Sequence, residues 1–303
     1  MSAPAFGVHT GLQNTSIPEL QDLWTRIEAT PSFDWISIWD HFYAADWTGA
    51  TVCLEAVAAH AALAAATDRV TCGSLVYSIG YRHPAVLANA MATLDQLAPG
   101  RIALGLGAGW AKDEYDAYGI PFPPTGVRLD QLAEGLQCVR GLLHDDVTNV
   151  DGAYFQLVDA RCDPKPAPGA VPIYVGGGGE RRTLAIAARY ADGWNVPFLD
   201  PDTYSHKVRV LTDHCTRVGR DPASITKTVN VGLAWSEDSL EAQFGPMATW
   251  VRPGVLTGPP EAMVEQIRGY HAAGAARVIL ALRAPFDVEG LDRFVTDVLP
   301  AFG

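Results

Sequence analysis

At 303 residues the chain can bury a large core, and its 48% hydrophobic and 18% charged content is that of a globular protein without polar low-complexity tracts. With 22 basic against 34 acidic side chains the formal charge is −12, which repels phosphate backbones and anionic lipid and argues against nucleic acid or a membrane as partner. The five cysteines form no C-x-x-C pair, so neither a disulfide framework nor a metal site is indicated, and reduced thiols in a cytoplasmic protein are expected.

The opening segment "MSAPAFGVHTG" has no basic region followed by an apolar stretch, and no later run reaches 18 consecutive apolar residues. Neither export nor a membrane span is expected. Residues 6–11 read as a first strand, after which Ser16 and Glu19 make a capping box and Leu20, Leu23, Trp24 and Ile27 fall at helical spacing. The second strand, "FDWISIWDHF" (33–42), is apolar until it ends in Asp40 and His41, and a short insertion at 43–52 carries Trp47. The third strand (69–77) leads to a helix opened by His83 and Pro84 and striped by Leu87, Ala90, Met91 and Leu94. The fourth, "RIALGLGAGW" (101–110), is followed by Glu114 and Tyr115, read as helix-surface residues, and by a helix carrying Leu129, Leu132, Leu136 and Val139.

Between the fourth and fifth strands lies about twice the length a βα unit needs, and 147–169 reads as a small hairpin with a Pro-rich return. The fifth strand (172–179) runs through Gly176, Gly177, Gly178 and Gly179 into a helix expected over 180–191. Strands follow at 193–198, 225–235 and 277–284; Gly274 closes the helix before the last of these, and an amphipathic helix over 287–302 ends the chain. Eight strands, several apolar throughout, alternate with helices. They predict an α/β fold, a single (β/α)8 TIM barrel over 1–303 with insertions after strands two and four.

In such a barrel the reactive groups stand at the carboxyl ends of the strands. Asp40 and His41 offer an acid and an imidazole for proton transfer, against the plain alternative of a histidine hydrogen-bonded at a strand end. Gly176 to Gly179, followed by Glu180 and Arg181, leave backbone amides free where a helix begins, which suits a phosphate. A tight turn with positive φ needs glycine too, but not four in succession. Gly107, Ala108 and Gly109 either let a flat ring approach the backbone or merely fit strand against helix. Trp110 stands where it would wall a ring pocket, although Trp39, Trp47 and Tyr77 have the composition of core. There is no metal-ligand spacing and no G-x-S-x-G nucleophile, and no lysine ends a strand.

The stretch "YRHPAVLANAMATLDQLAPGRIALGLGAGWAKDEYDAYGIPFPPTGVRLDQLAEGL" (81–136), with "FDWISIWDHF", "CDPKPAPG" and "PIYVGGGGERRTLAIAARYADGWN", resembles the luciferase-like monooxygenase superfamily. In detail it resembles the actinobacterial branch of oxidoreductases that use the deazaflavin coenzyme F420; the likeness runs to about residue 196 and more loosely over 257–280. The resemblance implies a flat cofactor at the carboxyl end of the barrel, backed by a non-proline cis peptide that maps to Ser74 and Leu75. It also implies that Asp40 faces the cofactor and fixes or tunes His41, that His41 faces the reacting centre, and that the fifth-strand glycines hold the phosphate. The function implied is hydride transfer between F420 and a small substrate, in a protein that forms a homodimer. Members that oxidise a sugar phosphate carry a glutamate where Trp110 stands. The loss of that acid, with Trp47 and Trp110 as apolar walls, favours a hydrophobic enone, imine or alcohol. Two alternatives stay open: a two-component monooxygenase using reduced FMN, and a deazaflavin-binding protein with little catalysis.

Overall fold

A computed structural model describes residues 3–44 and 52–303. Its centre is a ring of eight parallel strands: β1 (Ala5–Thr10), β2 (Phe33–Ile38), β3 (Thr71–Ser74), β4 (Ile102–Gly107), β5 (Ile173–Gly176), β6 (Gly193–Pro197), β7 (Thr226–Leu233) and β8 (Arg277–Leu282). Each pairs with its neighbours in chain order, and β8 closes on β1 from Ala5 opposite Arg277 to Thr10 opposite Leu282. The eight strands lie where the alternation of apolar runs and helical stripes predicts them, and the fold is an α/β TIM barrel.

The barrel is filled, as the fold requires. Trp35 and Tyr174 meet edge to face at 5.4 Å inside it. A Cβ at Gly73 would stand 2.3 Å from the Trp35 ring and one at Gly7 2.8 Å from Trp35 Cβ, so glycines on the flanking strands make room for the indole. At the amino end Arg277 donates to both oxygens of Asp34, at 2.9 and 2.8 Å. Outside, the helix Ile17–Glu28 has the expected capping box, with Ser16 N–H donating to Glu19 Oε2 at 2.8 Å, and it buries Leu20, Leu23, Trp24 and Ile27 against the sheet.

The structure departs from the expected layout in four places. The third strand is broken: β3 stops at Ser74, and Tyr77–Ser78 resumes the pairing against Leu106 and Gly107. The cis peptide between them joins Leu75 to Val76, one bond beyond the pair expected, while Ser74 stitches β3 to β4 by accepting Gly105 N–H at 2.9 Å. The helix after the glycine run begins at Thr183, so Glu180 and Arg181 belong to the turn. The last helix stops at Asp297 and a 3-10 turn, Leu299–Phe302, follows, because Pro300 has no N–H to extend α-helical bonding.

The fourth difference is a cap. After β7 the chain forms the helices Glu237–Phe244 and Ala248–Val251 and a short strand, Val255–Leu256, paired with the end of β7. Gly245, Pro246, Pro253 and Gly254 break this stretch into pieces too short to show a period, which is why it is not legible as structure in the sequence. Phe198, Leu240, Phe244 and Val251 form a separate apolar cluster that holds it over the barrel mouth. Elsewhere, Thr148–Asp151 and Gln156–Ala160 pair as an antiparallel hairpin. Trp47, in the other insertion, lies outside the described residues.

Candidate active site

A cavity of about 550 Å³ opens at the carboxyl ends of the strands. Asp40 and His41 follow the carboxyl end of β2 and both line it, 3% and 9% exposed. Neither is the other's hydrogen-bond partner, although the His41 charge acts on Asp40. Asp40 takes a two-pronged bond from Arg82, at 2.7 and 3.0 Å, and a third from Ser78 N–H at 3.0 Å. Burial pushes its carboxyl above the ordinary range, and the Arg82 cation opposes that. Through Ser78 the acid pins the strand just beyond the cis bulge to the end of β2.

The carboxylate that His41 meets is Glu114, with Nδ1 to Oε1 at 2.8 Å. Glu114 also accepts Phe42 N–H at 3.1 Å and the Tyr81 hydroxyl at 2.6 Å. Burial raises the Glu114 carboxyl, but the hydrogen bond and charge of His41, with the Tyr81 and Phe42 bonds, bring it below the ordinary glutamate value. Glu114 and Tyr115, expected on a helix surface, are instead 3% and 1% exposed. Gly109 is the physical reason. With φ +75° it turns the chain back over β2, and Tyr115 packs so closely on it that a Cβ would stand 2.2 Å from the phenol oxygen. Tyr115 is held there by a hydrogen bond with Ser78. The helix Lys112–Ala117 is too short to show a stripe, so its buried face leaves no signal in the sequence.

With Nδ1 committed to a carboxylate, the nitrogen that His41 can present to a ligand is Nε2. The imidazole sits edge-on between Trp39 at 5.0 Å and Trp110 at 5.2 Å, and Trp110 is 53% exposed at the rim. Nearby, Cys53 donates to His41 O at 3.1 Å. Burial, then the charges of Glu114 and Asp40, push this thiol up to about 12, so it stays neutral.

One wall of the cavity is flat and apolar. It is made by Leu75 and Val76 and by the bare backbone of Gly107, Ala108 and Gly109, with Gly176 and Gly177 continuing it along β5. A Cβ at Gly107 or at Gly176 would come within 2.7 Å of Val76, so packing on the bulge is itself reason for glycine at both. Gly177 has φ +112°. Ser74, Gly178, Gly179, Glu180 and Arg181 do not line the cavity. Glu180 pairs with Lys207 at 2.6 Å and His206 at 3.0 Å, and Arg181 is exposed. Lys207, to which the sequence assigns no site role, stands beside the turn, its Cε 3.7 Å from where a Gly178 Cβ would lie. The residues present suit a flat ring on the bulge with an anionic tail along the glycine turn.

The profile of the family described as luciferase-like monooxygenase matches residues 7–254. A protein of Segniliparus rotundus named F420-dependent glucose-6-phosphate dehydrogenase is 28% identical, over 88% of this chain and 89% of its own. One of the same name from Intrasporangium calvum is 29% identical, over 93% and 94%. Among solved structures, an F420-dependent secondary alcohol dehydrogenase in complex with an F420-acetone adduct superposes with a TM-score of 0.86 over the whole of both chains, at 23% identity.

Proposed function

Because the chain belongs to the luciferase-like monooxygenase family, we propose that it is an F420-dependent oxidoreductase that passes hydride between the deazaflavin and a small organic substrate with an apolar body. The observation that carries this reading is His41, held through Nδ1 by Glu114 in an apolar cavity that also has a flat wall of bulge and bare backbone. The names of the relatives support the cofactor.

In this reading Leu75, Val76 and the Gly107 to Gly109 backbone receive the ring face, and Ser74 acts from behind by tying β3 to β4. Gly176 to Gly179 receive the phosphate, with Lys207 as nearby cation; Glu180 holds that cation and Arg181 remains outside. When bound, the deazaflavin supplies a ring carbon that donates or accepts hydride. The chain's part is the proton. With Nδ1–H directed at Glu114, neutral His41 has a lone pair on Nε2, which takes the proton of a substrate hydroxyl during oxidation and returns it during reduction. Glu114 stabilises the imidazolium that forms. Asp40, saturated by Arg82 and Ser78, is a positioning residue that holds the bulge against β2. Trp110 is an apolar wall in place of an acid, which favours a hydrophobic alcohol, enone or imine over a sugar phosphate.

The same reading takes the protein to be a cytoplasmic homodimer, which light scattering of the purified protein tests for assembly. The decisive experiment is titration with F420 and with FMN, each oxidised and reduced, followed by a substrate screen. Tight binding of F420 with weak binding of FMN, and turnover with an alcohol or enone, is expected. Preference for reduced FMN would replace the reading with oxygenation, and F420 binding without turnover of any substrate would leave a carrier protein.

A further inference from the structure

The cavity holds a cation that this chemistry leaves unused. Arg283 follows β8, diametrically across the ring from β4 and its flat wall; it lines the cavity and is 7% exposed. Its guanidinium lies over the Trp39 ring at 4.0 Å and 5.8 Å from that of Phe244, and its stem crosses Gly11, where a Cβ would stand 3.0 Å from Arg283 Cδ. A guanidinium carries five N–H donors. Among the described residues one bond is formed, from Nη1 to Leu282 O at 3.2 Å, and no carboxylate pairs with it.

Other enclosed arginines are satisfied. Arg82 has Asp40, Arg277 has Asp34, and Arg128 donates to Pro123 O, Gly109 O and Thr125 Oγ1. Among the described residues no second cation beside Arg283 turns it into a phosphate site: burial and then the Arg283 charge itself hold His9 well below its ordinary value, so His9 is neutral, and its Nδ1 is bonded to Ser37. Asn195 and Asn230, on the same side, bond to each other at 2.9 Å. One isolated planar cation among Trp39, Phe198, Phe244 and Met247 matches a single planar anion attached to an apolar body. The chain's net charge of −12 does not oppose this, because salt screens it beyond about 8 Å.

We propose that Arg283 is the docking group for a carboxylate carried by the substrate, so that the substrates of this site are organic acids with an apolar body. The proposal rests on the reading of the cavity as an F420-dependent active site. The guanidinium forks the carboxylate on the β8 side, the cap residues Phe244 and Met247 cover the apolar part, and the reacting carbon is left toward His41 and the β4 wall. An isolated charge buried without a partner is costly, and a ligand carboxylate would offset that cost by supplying the counter-charge.

The test uses trans-cinnamate and its neutral isostere trans-cinnamamide, titrated calorimetrically into the protein with and without F420, for the native chain and for Arg283→Met. The native protein is expected to bind cinnamate at least tenfold more tightly than the amide. Arg283→Met is expected to lose about 10–100-fold in cinnamate affinity, the worth of a charged hydrogen-bonded pair, with amide and F420 binding unchanged. No preference for cinnamate in the native protein, including no binding of either probe, overturns the proposal. So does a preference that survives the substitution, or an Arg283→Met that loses F420, which would assign the cation to the cofactor. Should that variant not fold, Arg283→Gln is read the same way. A protein that prefers cinnamate but binds no F420 would refute the proposed function and leave the carboxylate site standing.

Discussion

At the scale of the residue, the candidate site divides by range. Asp40 and His41 were legible because a strand that is apolar throughout and then ends in an acid and an imidazole is a local signal. Their partners were not. His41 meets Glu114, 73 residues away in the chain, and Asp40 meets Arg82, 42 residues away. Under the proposed mechanism, His41→Ala lowers turnover by roughly 10²–10⁴ and leaves the F420 dissociation constant nearly unchanged, as steady-state kinetics and a binding titration would show, while Tm falls because the buried Glu114 carboxylate loses its partner. Glu114→Gln keeps the shape but removes the charge that orients Nδ1–H, and should lower kcat more than it raises KM. It also has a readout independent of turnover. The Glu114 carboxyl lies below its ordinary value in the folded protein, so its contribution to stability is complete above that ordinary value and is lost as pH falls through the lower, folded one. Native Tm should therefore fall through that acid window more steeply than the Tm of Glu114→Gln; identical acid profiles would remove the pair from the stability of the fold.

At the scale of the element, glycines decide where chain segments approach. Gly109 combines φ +75° with a phenol where a side chain would stand. Gly109→Ala is expected to cost about 1–3 kcal/mol in backbone strain alone, and more once Tyr115 is displaced. Because Glu114 rides on the same turn, the variant should lose activity as well as Tm, which separates it from a merely destabilised protein when both are measured. Gly177 has φ +112° but no side chain closer than 3.4 Å to the position of a Cβ. Gly177→Asp places a negative charge on the proposed phosphate turn and should weaken F420 binding well beyond Gly177→Ala, which shares the strain without the charge. Equal affinity in the two variants would return the glycine run to a plain turn. The cap after β7 is the element the sequence did not disclose, because four glycines and prolines cut it into segments shorter than a helical period can register.

At the scale of the whole molecule, eight strand ends converge on one cavity, so ligand binding there should stabilise the barrel as a unit. F420 at about a hundredfold over its dissociation constant would add roughly 2.7 kcal/mol, a rise of several degrees in Tm that FMN at the same concentration should not match. The order and number of the strands, the capping box at Ser16 and Glu19, and the placement of an acid, an imidazole and two glycine clusters at strand ends were determined by the sequence alone. Each is a local pattern of periodicity or punctuation that needs no knowledge of distant residues. Which side chains meet was decided only by the closed ring: Glu114 turned inward against His41, Arg82 on Asp40, Lys207 beside the glycine turn, the cap over the mouth, and Arg283 without a counter-charge among the described residues. Those are contacts between segments far apart in the chain. They depend on how barrel closure brings strand ends and loops together, which no local spacing encodes.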